Sequence, residues 1–244
     1  MSIRHLLLDA GNTRLKWVVV EDGLWCEQGI ADYADLSAVS CVMTAATDCY
    51  IASVARVQHE NQINALLAPF AITPTWLKAE HRFLDVINHY ANPRQLGVDR
   101  WMGLIAARQR TRAPTLVVSV GTAMTVDALS ADGVFLGGLI VPGHVMMRQA
   151  LQQGTARVAE VEGAWQAFPR TTADAVESGI VSALCGAIQL HQAHLAEIAG
   201  CEPHCFLTGG DAEKLLPHLG RTAEWVPSLV LEGIDCVARR GEAG

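Results

Sequence analysis

Two segments of the chain share one hydropathy pattern. LLLDAGNTRLKW at 6–17 and LVVSVGTAMTVDAL at 116–129 each run apolar, break into a small-residue turn and return to apolar residues. Asp9-Ala10-Gly11-Asn12-Thr13 aligns with Ser119-Val120-Gly121-Thr122-Ala123. A repeat of this kind predicts one unit, duplicated and folded twice around a shared cleft. Strands are expected over 3–9, 14–20 and 24–30. Leu6-Leu7-Leu8 is continuously apolar, as in a strand covered on both faces, Leu15, Trp17 and Val19 alternate with Lys16 and Val18, and Gly23 supplies a tight turn. A short helix follows over 35–39, a strand over 50–54, a helix over 55–67 that stops before Pro69, and a strand over 75–77. Residues 83–96 are turn-rich around Tyr90-Ala91-Asn92-Pro93. The pattern is helical over 98–110, with Asp99 in the first turn facing the positive end of the dipole.

The second half repeats the order. Strands are expected over 115–120, 123–129 and 133–140, then a helix opened by Pro142-Gly143 and reaching about residue 153. Residues 154–169 are polar and irregular and predict a mobile segment. A long helix covers 172–199, a strand 205–208, a last strand starts at Trp225, and a helix covers 229–239. A composition shift at 110–114 divides the chain into 1–112 and 113–244. The fold class is α/β with mixed sheets flanked by helices.

Composition narrows the field. Of 244 residues, 50% are hydrophobic and 18% charged, enough for a sizeable core in one large or two medium domains. No apolar run in the sequence is long enough to span a bilayer, and the N-terminus shows no signal-peptide pattern, so the expected home is cytoplasmic. The net charge of −7 argues against nucleic acid as the main partner, though not against a small anion. Seven scattered cysteines should be reduced and mostly buried. His191, His194, Cys201, His204 and Cys205 could build a zinc site on paper, but their spacing is not that of a ribbon or finger. They read instead as helix-surface histidines and cysteines flanking a buried strand. Neither GxxxxGK[ST] nor GxGxxG occurs.

The turns themselves suggest phosphate handling. Glycine lets backbone approach an anion, hydroxyls and amides donate to it, and Asp9 can hold a metal through water. Asp127, inside an apolar strand, needs a partner. It either supports the site from behind or bonds a backbone amide at a strand end.

With DAGNTRLKW, YANPRQLGVDRW, VVSVGTAMTVDA, FLGGLIVPG, TTADAVESG and LTGGDA in order, the chain resembles the type III pantothenate kinases from residue 6 to about residue 212. The resemblance implies duplicated actin-like (ribonuclease H-like) units with a cleft between them. It implies ATP-dependent phosphorylation of (R)-pantothenate to 4'-phosphopantothenate, the first step of coenzyme A synthesis. ATP would be bound by Asp9, Ala10, Gly11, Asn12, Thr13, Arg14, Leu15, Lys16 and Thr122, with Asp9 orienting Mg²⁺ on the phosphates. Tyr90, Gly97, Val98, Asp99 and Arg100 would hold pantothenate, Asp99 being the catalytic base. Thr172 would reach a pantothenate across a homodimer interface formed by 172–199, although Thr171 or Thr172 could equally cap that helix. Gly137-Gly138, Pro142-Gly143 and Gly209-Gly210 are expected as close-approach glycines near the nucleotide.

One position departs from the family. Ser119 stands where an Asp usually binds K⁺ or NH₄⁺, and a hydroxyl has no charge to offer a cation. The cation requirement is therefore expected to be weak, altered or lost. Two rival readings stay open at this stage: a kinase for another small alcohol, and a regulatory protein that binds ATP without turning it over. Neither membrane nor nucleic acid is expected as a partner.

Overall fold

The structure, a computed structural model, describes residues 4–44, 47–155, 162–220 and 223–241. The chain divides into two compact units, 1–110 with 228–244, and 111–227.

The first unit opens with β1 (Arg4–Ala10), β2 (Arg14–Glu21) and β3 (Leu24–Asp32), then α1 (Ser37–Cys41), β4 (Thr47–Ser53) and α2 (Val57–Leu67). It continues with β5 (Thr75–Trp76), the hairpin β6 (Arg82–Phe83) and β7 (Val86–Asn88), and α3 (Val98–Arg110). Five strands form a sheet in the order β3-β2-β1-β4-β5. β1 is antiparallel to β2 and parallel to β4. Asp22 and Gly23 turn β2 into β3 with φ of 48° and 80°, the left-handed pair that a two-residue hairpin favours. The apolar run of β1 is explained by its central place. Leu6, Leu8 and Ala10 enter one core with Val39, Ile63 and Leu67, and Leu7 on the opposite face is also fully buried.

The second unit contains β8 (Thr115–Val120), β9 (Ala123–Leu129), β10 (Val134–Pro142), α4 (His144–Gly154) and α5 (Thr172–Ala199). After these come β11 (His204–Thr208), α6 (Ala212–Leu215) and β12 (Ala223–Trp225). Its strands lie in the order β12-β11-β8-β9-β10, with β8 antiparallel to β9 and parallel to β11. Strand for strand, β8 takes the place of β1, β9 of β2, β10 of β3, β11 of β4 and β12 of β5. The duplication expected from the two hairpins is therefore present in the topology. α5 is capped by Thr171, whose Oγ1 accepts from the Asp174 amide at 3.1 Å, and is ended by Gly200 in the left-handed region.

Several expectations are corrected. By length and composition α5 could cross a membrane. Its Ile180, Val181, Leu184, Cys185, Ile188 and Leu195 nonetheless pack on Leu116, Val118 and Leu207 as the core helix of the second sheet. The segment expected to be mobile is partly pinned: the Ala164 amide donates to Asp174 at 2.9 Å and the Gln166 amide to Ser178 at 2.9 Å. Residues 156–161 of that segment lie outside the described residues. The loop expected over 83–96 holds part of a short hairpin, and the last strand ends rather than starts at Trp225.

The last helix, α7 (Leu229–Gly241), follows the second unit in sequence but packs in the first. Arg110 donates twice to Glu232, at 2.7 and 2.8 Å, and Trp25 donates to Asp235 at 3.1 Å. A Cβ on Gly233 would lie 2.0 Å from the Met102 carbonyl oxygen, so backbone of α7 sits directly on backbone of α3. Gly233→Ala should force these helices apart and lower unfolding stability by about 1–3 kcal/mol, read from the urea midpoint. An unchanged midpoint would contradict this packing.

Candidate active site

In the first unit, the chemistry gathers where β1 ends. Ala10 and Leu15 are fully buried, so they hold the hairpin from the core and offer only backbone to a ligand. Between them Asn12, Thr13 and Arg14 are exposed. The Gly11 amide donates to the Arg14 carbonyl at 3.1 Å, closing the loop. The Gly11 carbonyl accepts from the Tyr33 hydroxyl at 2.7 Å. Asp9 lies opposite Lys16 in the β1–β2 register. Burial pushes the Asp9 carboxyl up to about 6, the Lys16 charge pulling it down and the Asp99 charge adding to the rise. A partly buried carboxylate so little compensated is a fitting partner for a metal-bound phosphate.

The Asp99 charge is felt at Asp9, so GVDR lies within electrostatic reach of this loop. Asp99 sits in the first turn of α3, and its Oδ1 accepts from the Arg100 amide at 2.8 Å. Burial raises its pKa, against the lowering by that amide and by the Arg100 charge. A Cβ on Gly97 would fall 2.6 Å from Asp99 Oδ1, so the glycine makes room for the carboxylate. Val98 is buried and anchors the turn. Arg100, also buried, donates to the Tyr90 hydroxyl at 3.1 Å and lies 5.7 Å from the centre of its ring. Asn88 organises the loop carrying Tyr90. It donates to the Glu80 and Pro93 carbonyls and accepts from the Tyr90 amide.

In the second unit, β8 ends at Val120 and is followed by the turn residues Gly121 and Thr122, the latter exposed. This hairpin is one residue shorter than the first: Ala10 pairs with Leu15, but Val120 with Met124. Ser119 takes the place of Asp9, and Thr125 that of Lys16. A charged pair has become a hydroxyl pair, and Thr125 Oγ1 is buried without a hydrogen-bond partner. Asp127 is fully buried in mid-strand, so the strand-end reading fails. Two of the expected glycines make close approaches. A Cβ would lie 2.0 Å from the Gly121 carbonyl at Gly143, and 2.2 Å from the Val120 carbonyl at Gly209, while Gly137 and Gly210 face open space. His144, next to Gly143, bonds Glu177 of α5 at 2.8 Å, and Arg148 pairs with the same carboxylate. Thr172 is exposed at the start of α5, its capping duty taken by Thr171. His191 and His194 stand with rings 5.9 Å apart, and among the described residues no cluster suited to a metal ion forms.

Comparison with known proteins now decides the family. The type III pantothenate kinase family model matches residues 5–193. The type III pantothenate kinase of Thiobacillus denitrificans is 61% identical over 244 residues, covering 100% of both chains. This chain belongs to the type III pantothenate kinase family. Among solved structures, a Campylobacter jejuni protein assigned to the Baf family of transcriptional activators superposes with a TM-score of 0.63 at 20% identity, over 98% of this chain and 100% of the other. An archaeal actin homolog does so at 0.51 and 11%, over 98% and 100%. These two likenesses establish an actin-like fold.

Sequence reasoning missed Tyr33, Asn88 and the His144–Glu177–Arg148 group. Of these only Glu177 belongs to a quoted motif, TTADAVESG, and each meets its partner through folding. Asn88 carried a further local signal, two residues before Tyr90.

The raised pKa of Asp9 has a stability consequence. Folding favours its protonated form, so the wild type loses stability as pH rises from the unfolded carboxylate value, near 4, to about 6. Asp9→Asn should therefore be more stable than wild type at pH 7, by at most about 3 kcal/mol, and equal to it below pH 3.5. Chemical denaturation across this range measures the difference, and a variant less stable at pH 7 would refute the account.

Proposed function

We propose that the protein transfers the γ-phosphoryl group of ATP to the primary hydroxyl of (R)-pantothenate, giving 4'-phosphopantothenate and ADP. The observation that carries this is the juxtaposition of the first phosphate loop with Asp99, reported by the repulsion between Asp9 and Asp99. The backbone amides of Asn12 and Thr13, the side chains of the same two residues and Lys16 bind phosphate oxygens. Asp9 would help hold Mg²⁺, which when bound would offset phosphate charge. Arg100, positioned by Tyr90, pairs with the pantothenate carboxylate.

Asp99 then accepts the proton of the attacking hydroxyl. The new P–O bond forms at the γ-phosphorus as the bond to the β-bridging oxygen breaks, and ADP leaves with that electron pair. A base raised by burial holds a proton more strongly than an ordinary carboxylate, which suits this task. Gly97 keeps its carboxylate free to turn toward the hydroxyl.

The functional unit is a homodimer. Leu190 and Ile198 on α5, and Ile140 on β10, are 56, 74 and 63% exposed, an apolar surface that a second copy would cover. Thr172 would then complete the partner's substrate site. All seven cysteines are free thiols, which accords with a reducing cytoplasm. The net charge of −7 gives no electrostatic reason for nucleic-acid binding.

The donor set at Ser119 fits a charged monovalent-cation site poorly, because Ser119 and Thr125 supply neutral oxygens only. Ser119→Asp should strengthen activation by K⁺. Equal K⁺ responses in variant and parent would clear Ser119 of responsibility.

The central test is ATP-dependent phosphorylation of pantothenate in Na⁺, K⁺ and NH₄⁺ in turn, with protein shown to sediment at twice the 26.2 kDa chain mass. Asp99→Asn should lose about 10²–10⁴-fold in kcat while still binding ATP. The acid limb of the wild-type rate should lie above the ordinary carboxylate value. Absence of turnover in folded, dimeric protein would favour the ATP-binding regulator or another substrate.

A further inference from the structure

Tyr33 lies outside every motif, yet it makes one of the shortest hydrogen bonds to the first phosphate loop. It is 7% exposed and follows the end of β3. Its hydroxyl donates to the Gly11 carbonyl at 2.7 Å. Its ring stacks on His59 of α2, with centroids 3.7 Å apart and planes 8° from parallel. Its own carbonyl accepts from Gln62 of α2 at 3.2 Å. The residue is therefore fixed in ring, hydroxyl and backbone by three separate contacts. Burial and the charges of Asp9 and Glu60 hold its pKa above the ordinary tyrosine value, so the hydroxyl remains a donor throughout the working range.

The consequence follows from peptide geometry. In a trans peptide, the carbonyl of one residue and the N–H of the next point in opposite directions. The carbonyl that Tyr33 captures belongs to the Gly11–Asn12 peptide. With that oxygen held inward, the Asn12 N–H must point away from Tyr33, on the side of the exposed Asn12 and Thr13. Glycine permits either orientation of this peptide at little steric cost, so Gly11 alone would not choose between them. The Gly11 amide is already committed to Arg14, and the Val54 amide holds the Ala10 carbonyl at 3.0 Å, which leaves the Gly11–Asn12 peptide as the unit still to be oriented.

We infer that Tyr33 is a positioning residue that locks the Gly11–Asn12 peptide with its N–H directed outward to receive a phosphate oxygen of the nucleotide. This inference rests on the assignment of the 9–16 loop to ATP made above. Phosphate binding by backbone N–H groups requires them to be aimed before the ligand arrives, since turning a peptide during binding weakens affinity. Tyr33 supplies that aim from the core, through a residue that never touches the ligand.

Tyr33→Phe isolates the effect, because it retains the ring and its stack on His59 and removes only the donor. Two measurements are made on the full-length protein: amide hydrogen exchange over 10–14 without nucleotide, and affinity for the magnesium complex of a non-hydrolysable ATP analogue. The variant should exchange faster at Asn12 and Thr13 and bind the analogue about fivefold to tenfold more weakly. The KM for pantothenate and the melting temperature should hardly change. Unaltered exchange and affinity would overturn the inference. So would equal losses toward both substrates with a lowered melting temperature, which would make Tyr33 merely structural. If the variant exchanges faster but the analogue fails to protect this loop in the wild type, the assignment of the loop to ATP fails and the lock survives only as a feature of the turn.

Discussion

A strand buried on both faces can present chemistry only at its ends. That constraint governs both halves of this protein. β1 and β8 lie inside their sheets with strands on both sides, their apolar side chains committed to core on either face. After polar residues at their starts (Arg4 and His5, and Thr115), the strands stay apolar until Asp9 and Ser119, next to the hairpin turns that leave the sheet. The site residues Asp9 to Lys16 and Ser119 to Thr122 cluster there for that reason. The surrounding packing serves the same end: Gly143 and Gly209 bring neighbouring backbone onto the second turn, and Tyr33 and Val54 fasten the first.

The duplicated turns have diverged in charge while keeping their topology. The first carries Asp9 opposite Lys16, and the second Ser119 opposite Thr125. A carboxylate partly withdrawn from water is costly, and the protein maintains that cost at Asp9, where the Asp99 charge adds to it, and again at Asp99 through burial. Such uncompensated carboxylates are expected where a metal–phosphate complex or a substrate proton supplies the missing partner. The second turn bears no such cost and has no corresponding charge.

Much of the candidate site was legible because it is local. Gly97, Asp99 and Arg100 lie within four residues, and the helix period over 98–110 put Asp99 in a first turn before any coordinates did. The 9–16 loop was readable in the same way, from a turn between two apolar runs. What could not be read was which atoms were available. Ala10, Leu15 and Val98 sit inside the motifs, but their side chains belong to the core. Of the two readings open for Asp127, support from behind the site or a strand-end bond, its full burial inside β9 removes the second.

The sequence alone determined the two hairpins, the buried central strands, the bounds of α3 and α5 and the family, since each is written in short-range spacing. Tertiary structure alone decided that α7 returns to the first unit, that Tyr33 holds the Gly11 carbonyl, and that Glu177 joins His144 to Arg148. These depend on contacts between residues 22 to more than 200 positions apart. No periodicity encodes such contacts; they exist only once burial of the apolar faces has fixed which surfaces meet.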